Sequence, residues 1–130
     1  MEHGLNTYKK ISVNTASKEQ ILLMLYETAI KNCKLAIQAI DNKQIAKKGE
    51  HIGKFQDIIV ELNNGLDFNV DKKMATDLSN LYDYLLFTST QANINFDKKS
   101  LEDCLQILST LHSAWIEAIK SLKKNNKEGK

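Results

Sequence analysis

The sequence predicts an all-α fold: an antiparallel four-helix bundle with an N-terminal arm packed on it. Three observations carry that expectation. Proline is absent from the 130 residues and glycine occurs only five times, so residues that interrupt helices are scarce. Apolar side chains make up 42% of the chain and are dominated by Leu, Ile and Ala, enough for one core but not for two ordinary domains. Finally, apolar residues recur at three- and four-residue steps in four consecutive segments joined by short polar stretches. The expected division is an arm over 1–16, a bundle over 17–124 and a disordered tail over 125–130.

The first helix opens at Ser17-Lys18-Glu19-Gln20, a capping box in which the serine oxygen accepts from an early amide while Gln20 reaches back. It runs to about Asp41, with Leu22, Leu25, Ala29, Cys33, Ala36 and Ile40 forming a core stripe. After Asp41-Asn42-Lys43 a second helix is written by Ile45, Ile52, Phe55, Ile59, Leu62 and Leu66. It carries Gly49 and Gly53 one turn apart, which mark either a flat patch where another backbone comes near or tolerated glycines on a polar face. Asn63-Asn64-Gly65 ends this helix, and the chain turns through to Asp71 with Phe68 and Val70 expected to tuck under the bundle end. The third helix places Leu78, Leu81, Leu85, Ser89 and Ala92 on one stripe, with Tyr82 beside them, and finishes near Asn95. Asp97 or Ser100 caps the fourth, in which Leu101, Cys104, Leu108, Leu111, Trp115, Ile119 and Leu122 continue the stripe. Before Ser17, Leu5, Tyr8, Ile11 and Val13 show no helical stripe, and this arm is expected to lay them on the bundle.

Composition excludes several classes of function. A net charge of +2, from 18 basic and 16 acidic side chains spread along the chain, is too balanced to attract nucleic acid. The lysine-rich end, Lys120 to Lys130, reads as a solvated tail. No signal-peptide core is present, and the longest apolar run, Ile21 to Tyr26, falls well short of the ~20 residues that span a bilayer, so a cytosolic protein without membrane insertion is expected. Cys33 and Cys104 lie in apolar helical patterns and read as reduced core residues. His3, His51 and His112 have no partner at metal-ligand spacing, and no Glu-x-x-His occurs. No phosphate loop, nucleophile turn or paired carboxylates stand out, so neither an enzyme nor a cofactor is expected.

The positive clue is surplus apolar surface. A helix that gives one stripe to a bundle needs about three to four apolar positions in seven, yet Ile21-Leu22-Leu23-Met24-Leu25-Tyr26 is apolar all round. With Leu22 and Leu25 pointing inward, Leu23, Tyr26 and Ile30 form a flanking stripe, matched on the third helix by Tyr84 and Phe87. Methionine and tyrosine suit an adaptable peptide-binding groove. A cover formed by the arm, or a dimer contact, would use the same residues.

Several fragments resemble a known family. Tyr8-Lys9-Lys10-Ile11-Ser12-Val13-Asn14-Thr15-Ala16-Ser17, followed by Leu23-Met24-Leu25-Tyr26, is similar to the start of the FliS flagellin export chaperones of bacteria. Lys48-Gly49, Ile58-Ile59 with Glu61-Leu62-Asn63, Leu81-Tyr82-Asp83-Tyr84, Ala92-Asn93-Ile94 with Asp97, and Ala114-Trp115 follow in order, over about residues 5–120. The resemblance implies a bundle that binds the disordered C-terminal segment of flagellin in the cytosol. It would block premature polymerisation and aid delivery to the flagellar type III export gate, without covalent chemistry. The implied contact residues are Leu5 and Tyr8 of the arm, with Leu23, Tyr26, Ile30, Tyr82, Tyr84, Phe87 and Asn93. The export gate and a co-chaperone are further implied partners, and the free protein is expected to be a monomer or weak dimer. Departures are Lys18 for a common proline, Phe87-Thr88 for an arginine pair, and Phe96 and Ser113 for an asparagine and an aspartate. An adaptor for another export protein, or more remotely a metal-binding or enzymatic bundle, would be built from the same pattern.

Overall fold

A computed structural model describes residues 17–128, with side chains through Asn125. Its four helices are α1 (Lys18–Asp41), α2 (Ile45–Asn64), α3 (Lys72–Asn95) and α4 (Lys98–Glu128), and no strand occurs among the described residues. Each helix packs on its neighbours in sequence and α4 closes the ring on α1, while the diagonal pairs α1/α3 and α2/α4 make no backbone contact. Cross-links fix the antiparallel register. Between α1 and α4, Asp41 pairs with Lys98, Cys33 Sγ–H donates to the Leu101 carbonyl, and Trp115 Nε1–H donates to Tyr26 Oη. Between α2 and α3, Lys48 reaches the Asn93 carbonyl and Gln56 reaches Ser89.

Local chemistry explains the helix ends. Ser17 Oγ accepts from the Gln20 amide at 3.2 Å while Gln20 Oε1 accepts from the Ser17 amide at 3.0 Å, so the expected capping box forms. Asp71 caps α3 by accepting from the Met74 amide. Of the two candidates for α4, Asp97 is the cap, accepting from both the amide and the hydroxyl of Ser100.

The core is one cluster drawn from all four helices, including Ala29, Cys33 and Ala36 of α1, Phe55 and Ile59 of α2, Leu85 and Ala92 of α3, and Leu101, Cys104 and Leu108 of α4. Cys33 and Cys104 are free buried thiols, and burial is the main cause that pushes both up to about 12.

Two expectations need correction. Phe68 and Val70 do not tuck under the bundle; both are exposed, Val70 at 82%, because the connection over residues 65–71 runs along the surface. Leu122 is exposed, since α4 outlasts the helices it packs on. Helix α4 extends to Glu128 through a stretch of Lys, Asn and Glu with no breaker in it. Of the two readings of Gly49 and Gly53, tolerated glycines fit: among the described residues a Cβ at either would meet nothing within 4 Å.

Candidate functional site

At the pole where α1 and α3 begin and α2 ends, the bundle carries an apolar groove of about 360 Å³. Its origin lies in the diagonal geometry. The backbones of α1 and α3 do not approach each other closely, so only long side chains can fill the space between them. Midway, Tyr26 and Tyr82 do so, their hydroxyls meeting across the core. One turn nearer the pole the facing residues include Leu22, Leu25, Ala75 and Leu78, which leave the space open. Leu62 and Leu66 from the end of α2, Met74 at the start of α3 and Trp115 of α4 complete the lining. The rim bears Glu61, Asp67 and Asp71 against Lys18 alone, so it is net acidic.

The floor is a polar network inside an apolar site. Tyr26 is 0% and Tyr82 1% exposed. Tyr26 Oη accepts from Trp115 Nε1–H at 3.2 Å and shares a hydrogen bond with Tyr82 Oη. Desolvation raises the pKa of both phenols above the ordinary tyrosine value, so both are neutral donors at physiological pH.

The opposite pole has its own device. Lys48 is buried, at 4% exposure, and donates to the Asn93 carbonyl at 2.7 Å. Its ammonium lies 3.6 Å from the centre of the Phe96 ring. With Ala39, Ile40 and Ile45, Lys48 and Phe96 line a second cleft of about 370 Å³.

The structure redistributes the sequence-derived site residues. Tyr26 and Tyr82 are not surface residues: both are core, because across the unfilled diagonal only an aromatic from each side can meet. The inward and outward roles in the run from Ile21 to Tyr26 are accordingly exchanged. Leu22 and Leu25, expected in the core, are half-buried and line the groove, whereas Tyr26 is wholly interior. Leu23 and Ile30 are half-buried and do not line it. Tyr84 and Phe87 are exposed on α3, Phe87 at 64%, away from the groove. Asn93 is half-buried, with its carbonyl held by Lys48, and Thr88 beside Phe87 is buried. Leu5 and Tyr8 fall outside the described residues. Sequence reasoning missed Met74 and placed Leu66, Leu78 and Trp115 in the core stripe. The available signal was the scatter of apolar residues, Leu66, Phe68, Val70 and Met74, from the end of α2 into the first turn of α3.

Among the described residues no group of His, Cys, Asp or Glu could hold a metal ion, and no helix is long and apolar enough to cross a membrane.

Comparison with known proteins gives a consistent picture. The profile of a family described as "Flagellar protein FliS" matches residues 1–122. A flagellar secretion chaperone FliS of Bacillus subtilis is 34% identical over 125 residues, covering 96% of this chain and 92% of the relative. Another, from Vibrio cholerae, is 35% identical over 119 residues, covering 88% of each. A solved structure described as "Crystal structure of flagellar chaperone from bacteria" superposes with a TM-score of 0.75 over 91% of this chain and 98% of that one. At 16% identity that likeness shows a shared fold.

Proposed function

Since this chain belongs to the FliS family, a family of flagellar secretion chaperones rather than enzymes, we propose that it binds flagellin in the cytosol through the flagellin C-terminal segment. By holding that segment it prevents premature polymerisation and hands flagellin to the flagellar type III export apparatus, at the export gate. The observation that carries the reading is the groove: an apolar site of about 360 Å³ lined by residues of all four helices. Monomeric soluble proteins seldom keep such a surface without a ligand for it.

The physics suits an export chaperone. A disordered segment that folds onto a preformed surface gains from apolar burial and loses chain entropy, so a large interface stays reversible. The acidic rim favours basic side chains flanking the apolar ones of the client. The exposed Tyr84 and Phe87 offer a second contact to a segment that wraps past the groove along α3. An aromatic contact at Phe87 makes that part of the interface less sensitive to salt than a charged one would be. The arm, through Leu5 and Tyr8, covers part of the same surface when flagellin is absent and gives way to it. A co-chaperone is a further partner, and the free protein is a monomer or weak dimer.

Titration calorimetry tests the proposal. Full-length flagellin is expected to bind one to one, and flagellin lacking its C-terminal segment not to bind. Equal affinity for both would contradict it.

A further inference from the structure

The two ends of α2 carry complementary surfaces that a single chain cannot bring together. Past its C-terminus, the connection over residues 65–71 holds Asp67 and Asp71 and no base. Phe68 is 47% and Val70 82% exposed there, and Val70 is the most exposed large apolar side chain among the described residues. Before its N-terminus lies the second cleft, of about 370 Å³, walled by Ile40, Ile45 and Phe96 and lined by Lys43 and Lys48 with no acidic residue. Ile45 and Phe96 are 65% and 50% exposed and Lys43 is exposed, so a partner can reach the wall and one of its two cations. Lys48 is turned inside and contributes its charge alone. Nearby carboxylates are engaged elsewhere: Asp41 pairs with Lys98, Asp103 pairs with Lys99, and Asp97 caps α4. Among the described residues no ion pair engages Lys43, Asp67 or Asp71.

We infer that a second copy of this chain docks here head to tail, the acidic connection of one copy entering the basic cleft of the next with Phe68 and Val70. Apolar side chains set between two carboxylates meet an apolar wall beside two cations, so burial and charge favour the same contact. The 20 residues of α2 hold the two surfaces about 30 Å apart, too far for a chain to dock on itself. Because the two surfaces differ, the contact is heterologous and adds copies in a row. One short connection in one cleft buries less than the ~1,000 Å² of a stable interface, so the association is weak, reversible and sensitive to salt. One consequence rests on the groove being the flagellin site. Asp67, Val70 and Asp71 also line that groove, so a copy whose connection is docked has its groove obstructed, and flagellin competes with the second copy.

Sedimentation velocity of the full chain tests the contact. The average sedimentation coefficient should rise as protein approaches about 1 mM, and the rise should shrink between about 0.05 M and about 0.5 M salt. Lys43→Asp and Asp67→Lys should each weaken association at least about fivefold. Lys43 has a φ of 56°, a left-handed conformation that aspartate tolerates, so that variant should match the wild type by circular dichroism. Phe68→Ser is a second loop variant with the same expectation, and it keeps the bond from the Asn69 amide to Asp67. An equimolar mixture of Lys43→Asp and Asp67→Lys should associate again, because the intact connection of one meets the intact cleft of the other. A wild type that stays monomeric at the highest concentration, undiminished association of Lys43→Asp, or a mixture that stays monomeric overturns the inference. Saturating flagellin should disperse associated wild-type chains into one-to-one complexes. Flagellin bound to chains that remain associated overturns the competition, whereas chains that associate but bind no flagellin overturn the flagellin reading and leave the contact standing.

Discussion

Lys48 stops a helix that has no glycine to stop it. Helix α3 ends at Phe96, whose φ of 55° lies in the left-handed region that costs an ordinary residue roughly 1–2 kcal/mol. The amides of Phe96 and Asp97 both go to the Ala92 carbonyl, leaving the Asn93 carbonyl for the Lys48 ammonium. That ammonium also caps the negative end of the α3 dipole and lies over the Phe96 ring, so one cation holds the turn between α3 and α4. Lys48→Met should therefore lower stability by about 1–3 kcal/mol in urea denaturation, mainly by orphaning a carbonyl, while flagellin affinity at the other pole stays unchanged. In the sequence Lys48-Gly49 was only a fragment of resemblance, because the partner lies 45 residues away. The same distance problem hid the role of Tyr26, whose hydroxyl partner is 56 residues distant. Ser17 and Asp97 were legible as caps because their partners are three residues on.

Helix spans and stripes were written locally and were readable. The capping box set the start of α1, the interval Asn63-Asn64-Gly65 set the end of α2, and Asn95 closed α3 as expected. What periodicity could not give was the depth to which each side chain reaches. On α1, Leu22, Leu25 and Tyr26 all belong to apolar faces, and only the identity of the residues opposite decides which is core and which is groove wall. The paired glycines of α2 pose a separate question that can be measured. With open space around both, the double variant Gly49→Ala, Gly53→Ala should gain about 1–2 kcal/mol of stability through helix propensity. Affinity for flagellin should be unaffected. A large loss of affinity in the stabilised variant would place a client backbone against that face of α2.

At the scale of the molecule, the bundle divides its labour between its ends. One pole is tied: a two-residue connection between α3 and α4, the Lys48 cap and the Asp41–Lys98 pair hold the helix termini together. The other is open, because a longer connection over residues 65–71 and short side chains across the α1/α3 diagonal leave a groove above the Tyr26–Tyr82 contact. A site placed at the open pole can take up a client without disturbing the ring of helices that supports it. The most direct test is an amide chemical-shift map of the isotope-labelled chain titrated with the flagellin C-terminal segment. The largest changes should fall at Ile21 to Leu25, Leu62 to Leu66 and Met74 to Leu78, around the groove. Changes confined to the opposite pole around Lys48 and Phe96, or no changes at saturating segment, would contradict the account.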